Sequence, residues 1–122
     1  MQRKTATPAS QSTTVVLTLI SVPGRYRELL DVFDELKVLE KSMAVPGAID
    51  TWLAQDAEQQ DQIYVFTRWG KPSDYDGWLK HPDRAVIVQH LLPLLAVAPT
   101  IRIHVPPEHS GSLHSVAPEQ HP

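Results

Sequence analysis

The sequence predicts an α+β domain of the ferredoxin-like type, with the order β-α-β-β-α-β, an antiparallel sheet and the helices on one face. Two observations predict it. Apolar residues recur at helical spacing or in helix-length runs in two parts of the chain, and the segments around them alternate as strands do. The polar connection at 57–61 has hairpin length, so the strands on either side should pair antiparallel.

The first two elements are a strand at 14–22 and a helix at 25–44. The strand is apolar on both faces, so we expect both of its sides to be covered. In the helix the apolar positions follow i, i+3, i+4, i+7, i+10 and i+14 from Leu29, which predicts one amphipathic helix of about five turns with Phe33 in its buried stripe. Val45-Pro46-Gly47 should end it.

The remaining elements follow from β-branched and aromatic runs and from Pro positions. They are strands at 48–56, 62–69 and 100–105, a short helix after Pro72 that Ser73 could cap, and a helix at 83–96 that Pro93 should kink or end. The domain therefore spans 14–107. Residues 1–13 are predicted to be a flexible arm, and 108–122 a tail rich in Pro, Ser and His that is mobile or docked on a partner.

Side chains of the third strand should alternate between two faces of the sheet. The helix side is assigned Ile63, Val65, Thr67 and Trp69, and the opposite side Tyr64, Phe66 and Arg68. With Trp52 and Ala54 added, the opposite side is too apolar to face water. We therefore expect a homodimer with two sheets face to face, and Arg68 in an interface ion pair.

Composition narrows the function. The net charge of −3 argues against a nucleic-acid or anionic-membrane partner. Without cysteine there are no disulfides, thiolate nucleophiles or Cys-ligated metals. No Gly-rich phosphate loop is visible, and the spacing of His104, His109 and His114 does not predict a zinc site, so we expect no metal and no cofactor. Neither a signal peptide nor a membrane span is apparent, which predicts a cytoplasmic protein.

An aromatic pocket is predicted where the third strand meets the short helix. Trp69 ends the strand, and Tyr75 and Trp78 share one face of the helix at i and i+3. The same pattern also fits an ordinary core contact between strand and helix. Tyr75 offers a hydroxyl that can hydrogen-bond a phenol or a carbonyl oxygen. His90, in an apolar helix, is the candidate base.

The order of elements resembles the antibiotic biosynthesis monooxygenase family of dimeric α/β-barrel proteins. The resemblance covers about 14–107 and also rests on Val45-Pro46-Gly47 and on Thr67-Arg68-Trp69 followed by Tyr75 and Trp78-Leu79. It implies a homodimer with one pocket per subunit between sheet and helices. Members include cofactor-independent oxygenases of polyketide anthrones and quinols, haem-degrading enzymes, and tailoring enzymes that are not oxygenases.

Residue by residue, the transfer from this family is partial. Its anthrone oxygenases carry a Trp at the strand end and a Tyr six positions later, as Trp69 and Tyr75 do here. Where they place an Asn this chain has Val65, and their helix Arg falls near Gln89. Trp78 is similar to the helix Trp of the haem-degrading branch. That branch's His falls on Val88, which disfavours haem degradation.

The resemblance implies a cofactor-independent monooxygenase that acts with dioxygen on an aromatic polyketide such as an anthrone or quinol. Two alternatives stay open: a cyclase or isomerase that uses the same pocket without oxygen, and a non-catalytic dimer that binds a ligand and contacts a partner through its tail. Trp52 could reach the pocket only if a bulge changed its face. The candidate catalytic residues are Tyr75, His90 and Trp69, and the candidate substrate contacts are Trp78, Trp52, Val65, Phe33 and Gln89.

Overall fold

A computed structural model describes residues 12–107 of the chain. Its elements are β1 (Thr13–Ile20), α1 (Tyr26–Glu35), α2 (Val38–Met43), β2 (Ala48–Gln55), β3 (Gln62–Trp69), α3 (Pro72–Leu79), α4 (Pro82–Leu91), a 3₁₀ turn (Leu92–Leu94) and β4 (Thr100–His104). The strands form one antiparallel sheet in the order β2-β3-β1-β4, which is not closed. This is the predicted ferredoxin-like α+β arrangement. The predicted tail and most of the predicted arm lie outside the described residues.

The core lies between one face of the sheet and the helices. Along β3 the burial alternates, so that Ile63, Val65, Thr67 and Trp69 are buried and the residues between them are only half-buried. The larger core cluster joins this face to α1, α2 and α4 through Leu19, Leu29, Phe33, Val38, Ile63, Val65, Ile87, Leu91 and Leu94. A smaller cluster joins it to α3 through Val15, Val45, Trp69 and Tyr75. The predicted assignment of β3 side chains to two faces is therefore confirmed.

The single helix predicted at 25–44 is wrong, because the chain breaks into α1 and α2. Lys37 has φ 55° and ψ 46°, a left-handed conformation that a continuous helix cannot contain. The Lys37 N–H donates to the Asp34 carbonyl at 3.3 Å, which closes the last turn of α1. The break lets α2 change direction, so that Val38 and Ser42 become buried.

A bulge at the start of β2 fixes which side chains reach the open face of the sheet. Ala48 pairs with Trp69, but the register shifts before Asp50 pairs with Arg68. From that point Trp52 lies opposite Phe66, on the face away from the helices. Among the described residues, no helix belongs to a core cluster on this open face.

Pro residues mark the start of α4 and the turn that follows it. Pro82 occupies the first turn of α4, and the His81 Nδ1 accepts a hydrogen bond from the Asp83 N–H at 3.1 Å, so His81 caps the helix. Pro93 falls in the 3₁₀ turn that ends α4, as predicted. Within 12–107, every helix is too short or too polar to cross a bilayer.

Candidate active site

An apolar cavity of about 320 Å³ lies between the helix-side face of the sheet and all four helices. This volume falls in the lower part of the range of roughly 300–1,000 Å³ that is typical of small-molecule sites. The sheet contributes Val15, Leu17, Leu19, Val65, Thr67 and Ile101; the helices contribute Phe33, Val38, Leu39, Ser42, Tyr75, Trp78, Arg84, Ile87, Val88 and Leu91; the segment after α4 contributes Leu92, Leu95 and Pro99. Leu92 and Ile101 are both exposed, so the cavity reaches solvent between α4 and β4.

The position of Tyr75 is set by a contact between its ring and Trp69 and by contacts at the start of α3. Behind its ring, Trp69 is fully buried, with ring centroids 5.9 Å apart and a tilt of 50°. At the start of α3, the Asp74 Oδ2 accepts a hydrogen bond from the Lys71 N–H at 3.1 Å. Ser73, expected to cap this helix, is instead exposed inside its first turn. Gly47 packs against Asp74 so closely that a Cβ there would overlap its carboxylate.

The Tyr75 hydroxyl is available to a ligand. It makes no hydrogen bond with any described residue, although the side chain is only 8% exposed. Burial raises the pKa of Tyr75 above its ordinary value of 10.0, the positive charge of Arg84 opposes this effect, and Asp76 adds to it. The phenol therefore stays protonated at neutral pH. It is placed to donate a hydrogen bond into the cavity and not to accept a proton.

The two other hydroxyls that line the cavity, those of Ser42 and Thr67, already donate hydrogen bonds to groups of the protein. Ser42 Oγ donates to the Leu39 carbonyl at 2.9 Å. Thr51 Oγ1 donates to the Phe66 carbonyl at 2.9 Å, so the 3.2 Å bond between Thr51 Oγ1 and Thr67 Oγ1 must be donated by Thr67. These hydroxyls can accept from a ligand but cannot donate to it. Tyr75 is left as the hydroxyl donor of the cavity wall.

Four of the predicted site residues meet at this cavity: Tyr75, Trp78, Val65 and Phe33. Trp69 does not line it, because Tyr75 stands between the two. Its indole Nε1 is buried and has no hydrogen-bond partner in the described chain, as is also true of Thr13 Oγ1 on the neighbouring strand position. The position of Trp69 suits a residue that holds the Tyr75 ring rather than one that touches a ligand.

His90 and Gln89 do not reach the cavity, contrary to prediction. Ile87 and Leu91 are buried and set the inward direction of α4. At about 100° per residue, Gln89 points roughly 180° and His90 about 80° away from the midpoint between Ile87 and Leu91. Both side chains are exposed, and the His90 Nδ1–H donates to the Val86 carbonyl at 2.9 Å.

Trp52 also lies away from the cavity, because the β2 bulge keeps it on the open face of the sheet. Its ring stacks on that of Phe66, with centroids 5.0 Å apart and an angle of 4° between the planes. It is 40% exposed. The sequence could not settle this position, since a shift of one residue in the register moves every side chain to the other face.

Arg84 lines the cavity and was missed from the sequence. It lies three residues before Ile87 and seven before Leu91, so these three share one face of α4 with Val88. This spacing along the helix is the feature of the sequence that predicts Arg84 to face the cavity. The resemblance placed the helix Arg of the anthrone oxygenases near Gln89, which lies on the exposed face of α4.

The family model described as antibiotic biosynthesis monooxygenase matches residues 13–89. The chain belongs to this family. Among curated proteins, none matches the sequence significantly.

Solved structures share the fold of this family member. A conserved protein from Methanosarcina mazei superposes with a TM-score of 0.73 at 18% identity, covering 80% of this chain and 95% of that one. A candidate antibiotic biosynthesis monooxygenase from Caulobacter crescentus gives 0.70 at 20% identity, covering 81% and 92%. A protein from Mycobacterium tuberculosis gives 0.70 at 15% identity, covering 81% and 98%. At such identities the similarity shows the fold alone.

Proposed function

We propose that this family member is a cofactor-independent monooxygenase that oxidises an aromatic polyketide-type substrate, such as an anthrone or a quinol, in the helix-side cavity. One observation carries the proposal: Tyr75 lines a mostly apolar cavity, and its protonated hydroxyl has no hydrogen-bond partner among the described residues. Such an enclosure suits a flat aromatic ring system, and a hydroxyl donor suits its carbonyl or phenol oxygen.

Tyr75 would act by stabilising charge on the substrate oxygen. When an anthrone loses a proton from its methylene carbon, the negative charge moves to the carbonyl oxygen as an enolate. A hydrogen bond donated by Tyr75 to this oxygen is stronger than one to the neutral carbonyl, and the surrounding apolar wall strengthens it further. His90 faces solvent, so water at the open end of the cavity between Leu92 and Ile101 accepts the proton.

Dioxygen is the oxidant in the proposed reaction. The enolate passes one electron to dioxygen, and the resulting superoxide combines with the substrate radical to form a carbon–oxygen bond. The peroxide takes up a proton. Loss of the second methylene proton then breaks the oxygen–oxygen bond, leaving a quinone carbonyl and a hydroxide that is protonated to water. Each turnover consumes one dioxygen and releases one water.

Oxygen uptake tests this proposal directly. Purified protein, treated with a chelator, is mixed with anthrone in air-saturated buffer, and dioxygen consumption and anthraquinone absorbance are followed together. We expect both rates to exceed the protein-free background in proportion to protein concentration, with one dioxygen consumed per quinone. A rate equal to background for anthrone and for a quinol would refute the oxygenase proposal.

A second candidate function is a cyclase or isomerase of the same substrate class. Val65 favours it, because this buried, cavity-lining position is apolar where the anthrone oxygenases resembled by this chain carry an amide. The same hydrogen bond from Tyr75 would stabilise an enolate that rearranges without oxygen. Turnover of an aromatic polyketide substrate at an undiminished rate under argon would favour this candidate over the oxygenase.

We also propose that the functional unit is a homodimer that pairs the open faces of two sheets. On this face the exposed Trp52 of the edge strand β2 stacks on the half-buried Phe66 of β3, which is flanked by Val16 on β1. A flat apolar patch of this kind is typical of an interface between copies. Such pairing leaves the cavity of each subunit on its own helix side.

A further inference from the structure

The cavity contains one charged side chain among the described residues, Arg84 in the first turn of α4. It is half-buried, and its guanidinium makes neither a hydrogen bond nor an ion pair with any described residue. The adjacent carboxylate is directed elsewhere, since Asp83 lies 3.7 Å from the His81 ring. Arg25 shows the contrast on the surface, where Glu28 neutralises it at 2.6 Å.

An unpaired guanidinium beside an apolar wall is well suited to hold an anion. It presents several N–H donors in a fixed plane, and it is less strongly hydrated than an ammonium group. Tyr75 adds a neutral donor close enough for the charge of Arg84 to affect its pKa. The Ser42 and Thr67 hydroxyls donate elsewhere, whereas the Arg84 guanidinium and the Tyr75 hydroxyl both have N–H or O–H groups free to donate to a ligand oxygen.

We propose that Arg84 determines the specificity of the cavity by selecting aromatic ligands whose acidic oxygen is ionised, a carboxylate, phenolate or enolate, over neutral ligands of the same shape. The inference rests on the proposed role of the cavity as the substrate site. It extends that role by naming the charge of the ligand. In the alternative role, the apolar stem of Arg84 packs on the cavity rim and its charge stays in water. The protein would then show no preference between charged and neutral ligands.

A matched pair of probes separates these two roles. The ligands are 2-naphthoate, which is an anion at neutral pH, and 2-naphthamide, its neutral analogue of the same shape. Both are titrated under argon into the wild type, Arg84→Met, Arg84→Lys and Arg27→Met, with binding followed by calorimetry. Arg84→Met keeps the apolar stem and removes the charge; Arg27→Met makes the same change at an exposed residue of α1.

We expect the wild type and Arg27→Met to bind naphthoate about tenfold more tightly than naphthamide. Arg84→Met should lose this preference by weakening naphthoate alone, and Arg84→Lys should keep part of it because the charge remains. The inference is overturned if the wild type binds both probes equally or binds neither, or if Arg84→Met keeps the preference.

The result of these titrations is independent of the result of the oxygen-uptake experiment. Anion preference without oxygen uptake on anthrone would support the role of Arg84 and refute the oxygenase. Oxygen uptake by a protein that binds both probes equally would do the reverse.

Discussion

Gly47 is a single residue on which the placement of Tyr75 depends. Its φ of +93° is a left-handed conformation, and its Cα lies against the Asp74 carboxylate that accepts from the Lys71 N–H at the start of α3. Because Gly47 has no side chain, the segment Val45-Pro46-Gly47 after α2 can lie close to the start of α3, the helix that carries Tyr75.

Gly47→Ala should lower the free energy of unfolding by about 2–3 kcal/mol, from backbone strain together with displacement of Asp74. Gly24→Ala is the matched control, because Gly24 has φ +83° but nothing within 4 Å of the added Cβ, so strain alone should cost about 1 kcal/mol. Urea unfolding followed by Trp fluorescence measures both. Equal losses in the two variants would show that the contact with Asp74 contributes nothing.

Individual site residues were predictable where local spacing decides their direction. Tyr75 and Trp78 share a helix face by their i, i+3 spacing, and both line the cavity. His90 was assigned by residue type, whereas its direction follows from the buried positions Ile87 and Leu91. Arg84 shares a helix face with these two residues, so the spacing of apolar residues in α4 also predicts its direction.

At the scale of elements, Lys37 ends α1 at the position where glycine is usually found. A Lys in this left-handed conformation carries strain that a Gly does not. Lys37→Gly should therefore raise the free energy of unfolding by about 0.5–1 kcal/mol. Lys41→Gly, inside α2, should lower it by about the same amount. Thermal unfolding of both variants tests the helix break: a destabilised Lys37→Gly would argue for one continuous helix.

The β2–β3 hairpin is held by the carboxylate of Asp56. Its Oδ1 accepts from the Tyr64 hydroxyl at 2.5 Å, and its Oδ2 accepts from the N–H groups of Glu58 and Gln59. These bonds, with that from Tyr64 first, hold the pKa of Asp56 below its ordinary value of 3.8.

Because the folded pKa is the lower one, the stabilisation is present above about pH 3.8 and is lost as pH falls through the folded pKa. Between pH 5 and pH 2.5, the melting temperature of Asp56→Asn should therefore decrease less than that of the wild type. Asp34→Asn changes an exposed carboxylate of α1 whose side chain makes no hydrogen bond with any described residue, and it should behave as the wild type. Differential scanning calorimetry at several pH values measures this. An identical acid slope in Asp56→Asn would rule out the role of this carboxylate.

Element order was predictable, and the irregularities within elements were not. Apolar residues that alternate locate the strands, apolar residues at helical spacing locate the helices, and Pro93 marks the end of α4. No Gly or Pro stands at the break at Lys37, and Pro46-Gly47 mark the start of β2 but do not indicate the bulge before Asp50. Both depend on packing between different elements, α2 on β2 and β2 on β3, which the pattern within one element does not contain.

For the whole molecule, the open sheet face makes the proposed dimer testable. Phe66 stacks on Trp52 in the middle of this face, so a carboxylate there should be incompatible with a buried interface. We expect the wild type to sediment as a dimer and Phe66→Glu as a monomer with the same far-UV spectrum. Val97→Glu places the same charge at a residue that is 55% exposed outside the sheet and should remain dimeric. A monomeric wild type, or a dimeric Phe66→Glu, would contradict the proposal.

The central claim is that the free Tyr75 hydroxyl promotes oxidation inside the helix-side cavity. Oxygen uptake with anthrone by the wild type, Tyr75→Phe and Tyr64→Phe tests it most directly, because Tyr64 carries the same hydroxyl on the opposite face of the sheet. We predict that Tyr75→Phe lowers kcat by roughly 10²-fold with little change in KM, while Tyr64→Phe keeps the wild-type kcat. Wild-type kcat in Tyr75→Phe, or an equal loss in both variants, would contradict the claim.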